Sequence, residues 1–129
     1  MRPFSYVVPS TVGEAIELLT HHRGDAKVLA GGQSLVPLLY YRLASPRVVV
    51  DINGLPLSGA QIEDGRLRLR ALTRHATLEE SADIASVCGI LREAAVHIGN
   101  VRVRTMGTLG GSLAHADPAA ELPLVMVAL

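Results

Sequence analysis

Two glycine-rich segments constrain the fold of this chain more than any other feature. The first is Gly31-Gly32, which lies within residues 29–36 between two apolar runs, and the second occupies residues 107–112. Adjacent glycines allow tight turns with no Cβ in the way, and consecutive N–H groups in such a turn can converge on an anion. The two segments therefore predict either two structural turns or two loops that close on one phosphate-bearing ligand.

Composition excludes several classes of protein. Lysine and arginine total 12, aspartate and glutamate total 12, and aromatic residues make up 3% of the chain. The absence of a basic excess argues against a nucleic-acid or membrane-surface binder, and the core must be aliphatic. Cys88 is the only cysteine, which rules out an internal disulfide and fits a reducing compartment. With no signal-peptide core and no membrane-spanning run, the sequence predicts a cytoplasmic protein without membrane insertion.

Hydrophobic periodicity in the first half of the chain predicts a small βαβ lobe. Strands are expected at residues 4–8, 27–30 and 47–52, and helices at 12–22 and 35–43. Ligands of parallel βαβ units bind at the carboxyl ends of the strands, where the first glycine segment lies. Residues 54–59 are predicted to join a first lobe, 1–56, to a second lobe, 57–129.

The second half is predicted to begin with a β-hairpin at residues 60–71, turned by Asp64-Gly65. Its alternating arginines are expected to share a solvated face, with an anion-binding stripe as the alternative. His75 is placed in a loop, with Thr77 capping a short helix over residues 78–82. A single amphipathic helix is predicted from Ile84 to Ile98, with Cys88 as an inert thiol on its apolar stripe. Residues 101–104 then lead into the second glycine segment, and Pro118 is expected to start another helix.

No standard catalytic or nucleotide-binding motif occurs in this sequence. The G-x-G-x-x-G fingerprint and the P-loop are both absent. His115 and Asp117 have ligand-like proximity, but two residues do not make a metal site, so each histidine is expected to have a structural or dipole role. The residues alone thus predict an α+β chain with two candidate anion-binding segments, and no redox role follows from them.

Five ordered stretches carry a resemblance to a known family. They are RPFSY at residues 2–6, LAGGQSLVPLL at 29–39, VDIN at 50–53, ALTRHATLE at 71–79 and GTLGGSLAHADPAAE at 107–121. Together they resemble the FAD-binding medium subunit of molybdenum hydroxylases, the carbon monoxide dehydrogenase and xanthine dehydrogenase group. The resemblance runs across nearly the whole chain.

The resemblance implies an α+β fold of the vanillyl-alcohol-oxidase (PCMH) type, with FAD held between a small βαβ lobe and part of a second α+β lobe. It implies an oxidoreductase subunit that passes electrons from [2Fe–2S] clusters through FAD to a terminal acceptor. The implied partners are a molybdopterin-binding large subunit and a [2Fe–2S] small subunit in a hetero-oligomer. The chemistry belongs to the flavin, so no catalytic or metal-ligating residue is expected in this chain.

The resemblance also implies which residues contact the cofactor. In the first segment they are Leu29, Ala30, Gly31, Gly32, Gln33, Ser34, Leu35 and Val36, whose backbone N–H groups would surround the FAD diphosphate. In the second they are Thr108, Leu109, Gly110, Gly111 and Ser112, with Ile98 and Glu121 as further contacts. The chain departs from the common pattern of the family at four places: Ser112 replaces Asn, Glu121 replaces Asp, Ala71 replaces Gly, and Thr105-Met106 stands where Asn followed by a variable residue is common.

Family members continue well beyond 129 residues, so the chain resembles an N-terminal fragment and is expected to bind FAD weakly or not at all alone. Its last eight residues, from Leu122, are apolar apart from a proline and are expected to be covered. Two alternatives stay open. One is an oxidase of the same fold with a covalent flavin, for which His75 is a candidate attachment point. The other is a flavin-free module that only docks partner subunits.

Overall fold

The computed structural model describes residues 2–129, which form a first compact unit ending at Pro56 and a second unit, Leu57–Leu129. The strands of the first unit are β1 (Ser5–Val7), β2 (Ala26–Leu29) and β3 (Val48–Asp51). Its helices are α1 (Val12–His22) and α2 (Leu35–Tyr40). Every element predicted for this half is therefore confirmed, although α2 ends three residues early.

The three strands form a parallel sheet in the order β1-β3-β2. The central strand, β3, carries Val48, Val49 and Val50, all of which are buried, and α1 packs against β2 and β3. Leu29 pairs with Asp51 at the end of the β2–β3 register. The carboxyl ends of these strands therefore lie side by side, and the first glycine segment leaves the sheet at that edge.

Helix α1 begins where the sequence predicts because its cap is encoded locally. The Thr11 hydroxyl oxygen accepts a 3.1 Å hydrogen bond from the backbone N–H of Glu14, and the Glu14 carboxylate accepts one of 2.7 Å from the N–H of Ser10. Reciprocal bonds of this kind satisfy N–H groups that a helix start otherwise leaves unpaired.

The second unit begins with an antiparallel hairpin of β4 (Ala60–Glu63) and β5 (Arg66–Leu69). The helices that follow are α3 (His75–Glu80), α4 (Ala82–Val87), α5 (Gly89–His97), α6 (Val101–Met106), α7 (Leu109–His115) and α8 (Glu121–Ala128). Along β5 the arginines are exposed and the leucines half-buried, so the predicted solvated face is confirmed. Arg68 forms an exposed ion pair with Glu63 at 3.8 Å.

The core of the second unit is aliphatic, as composition predicts. Its buried members are Leu78, Ile84, Leu91, Ala95, Ile98, Leu109, Leu122 and Val125. Cys88 is half-buried and packs against this cluster, in keeping with a core thiol. The Arg104 guanidinium joins α6 to α3 through Glu79, with Nε 2.6 Å from Oε2, and it also donates to the Ile98 carbonyl at 3.1 Å.

Two predicted helices are corrected by the structure. The single helix over residues 84–98 is divided into α4 and α5 at Cys88, where φ is −146° and ψ is 76°. The break keeps Ile84 and Leu91 both buried, so the apolar pattern does not reveal it. The helix expected from Pro118 begins instead at Glu121, because residues 117–120 form a turn closed by a 3.0 Å bond from the Ala120 N–H to the Asp117 carbonyl.

Three further expectations are wrong in the stretch around the second glycine segment. His75 begins α3 and does not lie in a loop, and Thr77 is not a cap. Residues 101–106, for which no element was predicted, are helical because the Asn100 side-chain oxygen accepts from the N–H groups of Arg102 and Val103. Gly110, Gly111 and Ser112 belong to α7, so this segment is a helix start and not a loop.

No helix within residues 2–129 combines the length and the apolar character that crossing a membrane requires.

Candidate functional site

The first glycine segment is a tight connection between β2 and α2. Gly32 has φ +71°, a left-handed conformation that glycine adopts without strain, and its carbonyl accepts a 2.9 Å bond from the N–H of Val36. The Gln33 side chain folds back onto the Gly31 carbonyl at 2.9 Å. Within the described residues, the backbone N–H groups of Gly32, Gln33 and Ser34 have no acceptor. This turn therefore presents consecutive free donors, as an anion-binding loop requires.

A polar cluster at the end of β3 fixes the start of this turn. The Asn53 side-chain amide donates to the Ala30 carbonyl at 2.8 Å and to the Asp51 carboxylate at 2.6 Å. The same carboxylate accepts from the Asn53 N–H at 2.9 Å and from the Tyr6 hydroxyl. That hydrogen bond to Asp51 raises the pKa of Tyr6, so the phenol stays protonated and continues to donate. Residues on β1, β3 and the glycine turn are thus joined by one network.

We expect Asn53→Asp to loosen the first glycine turn. The substitution keeps the side-chain size but replaces the donor with a carboxylate that faces a carbonyl and another carboxylate, which should cost about 1–2 kcal/mol of folding free energy. Urea unfolding followed by circular dichroism measures the loss. Asn100→Asp is the matched control, because Asn100 acts as an acceptor that aspartate retains. Equal losses in the two variants would contradict a specific role for the Asn53 amide.

The second glycine segment is held by antiparallel pairing with the chain before α3. The His75 N–H donates to the Gly107 carbonyl at 3.1 Å, the Leu109 N–H donates to the Thr73 carbonyl at 2.9 Å, and Arg74 pairs with Thr108. The buried Thr108 then caps α7 by accepting a 3.1 Å bond from the Gly111 N–H. The backbone of residues 107–111 is therefore fixed at both ends.

Close packing explains two of the glycines in this segment. A Cβ at Gly107 would lie 2.7 Å from Nδ1 of His75 and 2.8 Å from the Val103 carbonyl oxygen. A Cβ at Gly110 would lie 2.8 Å from both the carbonyl oxygen and the Cβ of Ala71. Neither position can hold a larger residue without moving backbone, so these glycines are required by packing within the second unit.

The remaining residues predicted to contact the cofactor differ in how exposed they are. Ile98 and Leu109 are 8% and 6% exposed and pack in the core, and their N–H groups already donate to the Ala95 and Thr73 carbonyls. Ser112 and Gly111 are half-buried on α7. Glu121 is half-buried in the first turn of α8, and its carboxylate influences His75. In the first unit Gly31 is buried, whereas Gln33 and Val36 are exposed.

His75 is the residue of this region that sequence reasoning placed wrongly. It is 5% exposed, and within residues 2–129 neither of its ring nitrogens has a hydrogen-bond partner of normal geometry. Burial lowers the pKa of the His75 imidazole and outweighs the Thr108 backbone and the Glu121 carboxylate, which raise it; Arg74 adds to the lowering. The neutral form is therefore favoured. The T-R-H-A-T sequence offered no signal for this burial, because it comes from pairing with residues 107–109.

These features suit a dinucleotide cofactor in chemical terms. The first segment offers free backbone N–H groups on a turn whose positive-φ glycine lies close against the Val36 and Leu29 side chains. The second segment offers the half-buried residues Gly111 and Ser112 on α7, next to the backbone that is fixed by pairing with residues 73–75. Backbone donors on a glycine turn are typical of phosphate recognition, and no titratable side chain is needed for it.

Comparison with known proteins identifies the family. The model of the FAD binding domain in molybdopterin dehydrogenase matches residues 2–129. The chain is 50% identical over its whole length to the 6-hydroxypseudooxynicotine dehydrogenase complex subunit alpha of Paenarthrobacter nicotinovorans, of which it covers 45%. It is 38% identical, again over its whole length, to the caffeine dehydrogenase subunit beta of Pseudomonas sp. (strain CBB1), of which it also covers 45%.

A solved structure agrees with these relatives. CO dehydrogenase from Oligotropha carboxidovorans superimposes with a TM-score of 0.93 at 36% identity, over 97% of this chain and 44% of that one. The chain belongs to the family of FAD-binding domains of molybdopterin dehydrogenases, and its cofactor is FAD. The resemblance noted from the sequence and the α+β FAD-binding fold are both confirmed. The chain spans about 45% of the length of the curated relatives it matches.

Proposed function

We propose that this chain is the FAD-binding part of the flavin subunit of a molybdenum hydroxylase. In this role it would receive electrons from [2Fe–2S] clusters and pass them, through FAD, to a terminal acceptor. The observation that carries the proposal is the family match over residues 2–129. Dehydrogenase subunits that are 50% and 38% identical over the whole chain support the same reaction class.

The proposed cofactor contacts are backbone groups more than side chains. In the first unit, the N–H groups of Gly32, Gln33 and Ser34 would donate to the diphosphate, because they are the free donors of the turn. Leu29, Ala30, Gly31, Leu35 and Val36 would complete that contact. In the second unit, α7 would contribute residues 108–112. Ile98 would contribute through its carbonyl, since its N–H donates to Ala95, and Glu121 would contribute through its carboxylate.

The residues of this chain would bind and position the flavin, and the flavin would supply the redox chemistry when bound. Asn53 and Asp51 would act indirectly, by holding the Ala30 carbonyl and thus the turn that carries the donors. In the second unit, Thr108 would keep α7 in place through its bond to the Gly111 N–H. Neither role requires a proton to move, which fits a cofactor-binding subunit.

The proposed partners are a molybdopterin-binding large subunit and a [2Fe–2S] small subunit in a hetero-oligomer, located in the cytoplasm. The relatives are named for different substrates, 6-hydroxypseudooxynicotine and caffeine, yet both match the whole of this chain. We therefore propose that substrate specificity is determined by parts of the complex other than these 129 residues.

Two alternative functions predict different flavin contents. A docking module would assemble with the partner subunits without flavin, and a covalent flavoprotein would keep its flavin after denaturation. The burial of both His75 ring nitrogens argues against flavin attachment there.

The test is flavin content after co-expression with the products of neighbouring genes, read from flavin absorbance after desalting. About one FAD per chain, released by acid denaturation, is the expected result. A flavin-free complex would overturn the proposal in favour of docking, and flavin that stays with the denatured chain would indicate the covalent type.

A further inference from the structure

His75 is buried although its ring makes no hydrogen bond of normal geometry within the described chain. The Thr108 backbone is close enough to raise the pKa of the ring, and Nδ1 would lie 2.7 Å from any Cβ placed on Gly107. The ring edge therefore lies directly against the backbone that leads into α7. A leucine of similar volume would fill the same space without leaving polar atoms unpaired, so a histidine here is costly unless its titration has a use.

The pairing around His75 links this ring to the second glycine segment. Its own N–H donates to the Gly107 carbonyl, and residues 73–74 pair with residues 108–109 on the same ladder. Thr108 then caps α7 through the Gly111 N–H. A shift of the ring would reach Gly107 and Thr108 at once, because no side chain lies between the ring and that backbone.

We propose that His75 is a positioning residue that holds residues 107–112 in place when neutral and loosens them when protonated at mildly acidic pH. This rests on the proposed function, because a loosened second segment would bind FAD less well. The result would be a flavin site that releases its cofactor below about pH 6, near the ordinary titration range of histidine.

The charges facing His75 determine the direction of this effect. Arg74, next to it in the chain, repels an imidazolium, whereas the Glu121 carboxylate on α8 attracts one. Glu79, one turn along α3, is engaged by Arg104 at 2.6 Å and so is not a free counter-ion. Burial dominates these influences and holds the pKa of His75 below its ordinary value.

The sign of the pH dependence follows from that lowered pKa. In the packed state residues 107–112 are held against the buried His75 ring, and in the open state they are loosened and the ring is exposed. Because His75 is easier to protonate when exposed, a fall in pH favours the open state. The packed form is fully favoured above about pH 6.5, the ordinary value for histidine, and that preference is lost as pH falls toward the folded-state value. At pH 5.5 the opening equilibrium can increase by up to about tenfold, because an exposed histidine is then roughly ten-elevenths protonated.

Amide hydrogen exchange tests the proposal on the chain itself. Protection of the Gly110, Gly111 and Ser112 amides is measured at pH 7.5 and 5.5, corrected for intrinsic exchange, and divided by that of Leu91 and Ala95 in α5. We expect the ratio to fall by up to about tenfold in the wild type. In His75→Leu and His75→Asn it should stay constant, because neither side chain titrates. His115→Gln, on the exposed end of α7, is the matched control and should behave as wild type.

Three outcomes would overturn the proposal: a constant ratio in the wild type, an unchanged fall in both His75 variants, or loss of the fall in His115→Gln. If neither His75 variant folds, the NMR titration of the wild-type ring decides, because its protonation must coincide with the loss of protection. FAD retention by the co-expressed complex at the two pH values is a separate readout. A complex that never binds flavin contradicts the proposed function, while the exchange result still tests His75.

Discussion

Replacing Gly110 with valine is expected to destabilise the second unit by about 3 kcal/mol, at the upper end of what overpacking costs. The reason is backbone geometry. The new Cβ would lie 2.8 Å from the Ala71 carbonyl oxygen and 3.0 Å from the Ala71 Cα, and main-chain atoms cannot rotate away as a side chain can. The Gly110 N–H also donates to that carbonyl at 2.8 Å, so relieving the clash breaks this bond.

Urea unfolding measures this loss, with a midpoint lower by about 1–3 M for slopes of about 1–3 kcal/mol per M. Gly89→Ala is the control, because Gly89 stands at the start of α5 with nothing within 4 Å of an added Cβ, and alanine favours helix. Ala71→Gly should rescue Gly110→Ala only in part, since it removes one close contact and leaves the carbonyl. A tolerated Gly110→Val would show that α7 can move away from Ala71 at little cost.

Local chemistry was sufficient to predict the first unit. Glu14 and Thr11 cap α1 within one turn, and β3 is a run of buried valines, so the signals for both elements lie inside the elements. The link from Asn53 to Ala30 was not predictable in the same way. It joins residues 23 positions apart and depends on the parallel register that sets Leu29 beside Asp51.

The second unit shows where sequence patterns fail. Residues 101–104 alternate Val and Arg like a strand, yet the Asn100 cap and the 2.7 Å bond from Gly107 to Val103 make them helical. The break at Cys88 leaves the apolar spacing intact, so periodicity reports one helix where there are two. His75 is buried by pairing with a segment more than 30 residues away. These outcomes depend on tertiary contacts, which override local preference.

Replacing Gly32 with valine is expected to abolish flavin retention, leaving less than about a tenth of the wild-type FAD in the co-expressed complex. At φ +71° a β-branched residue is strained by about 1–3 kcal/mol, and the backbone would rotate out of the left-handed region to escape. Its Cβ would also press on Val36 at 3.1 Å and Leu29 at 3.2 Å, the two ends of the turn. Either movement changes the directions of the free N–H groups of residues 32–34.

Gly32→Val could lose flavin because the turn is distorted or because the protein is less stable. Gly24→Val is the control that distinguishes these two causes. Gly24 has φ +52° with nothing within 4 Å of an added Cβ, so valine there is strained similarly, but at the end of α1 and not in the glycine turn. We expect both variants to lower the urea midpoint and only Gly32→Val to lose FAD. Full flavin content in Gly32→Val would show that residues 29–36 form a structural turn, and equal flavin loss in both variants would show that retention follows stability alone. Because the donors are backbone groups, Gln33→Ala and Ser34→Ala, which keep the N–H, should not reproduce the Gly32→Val result.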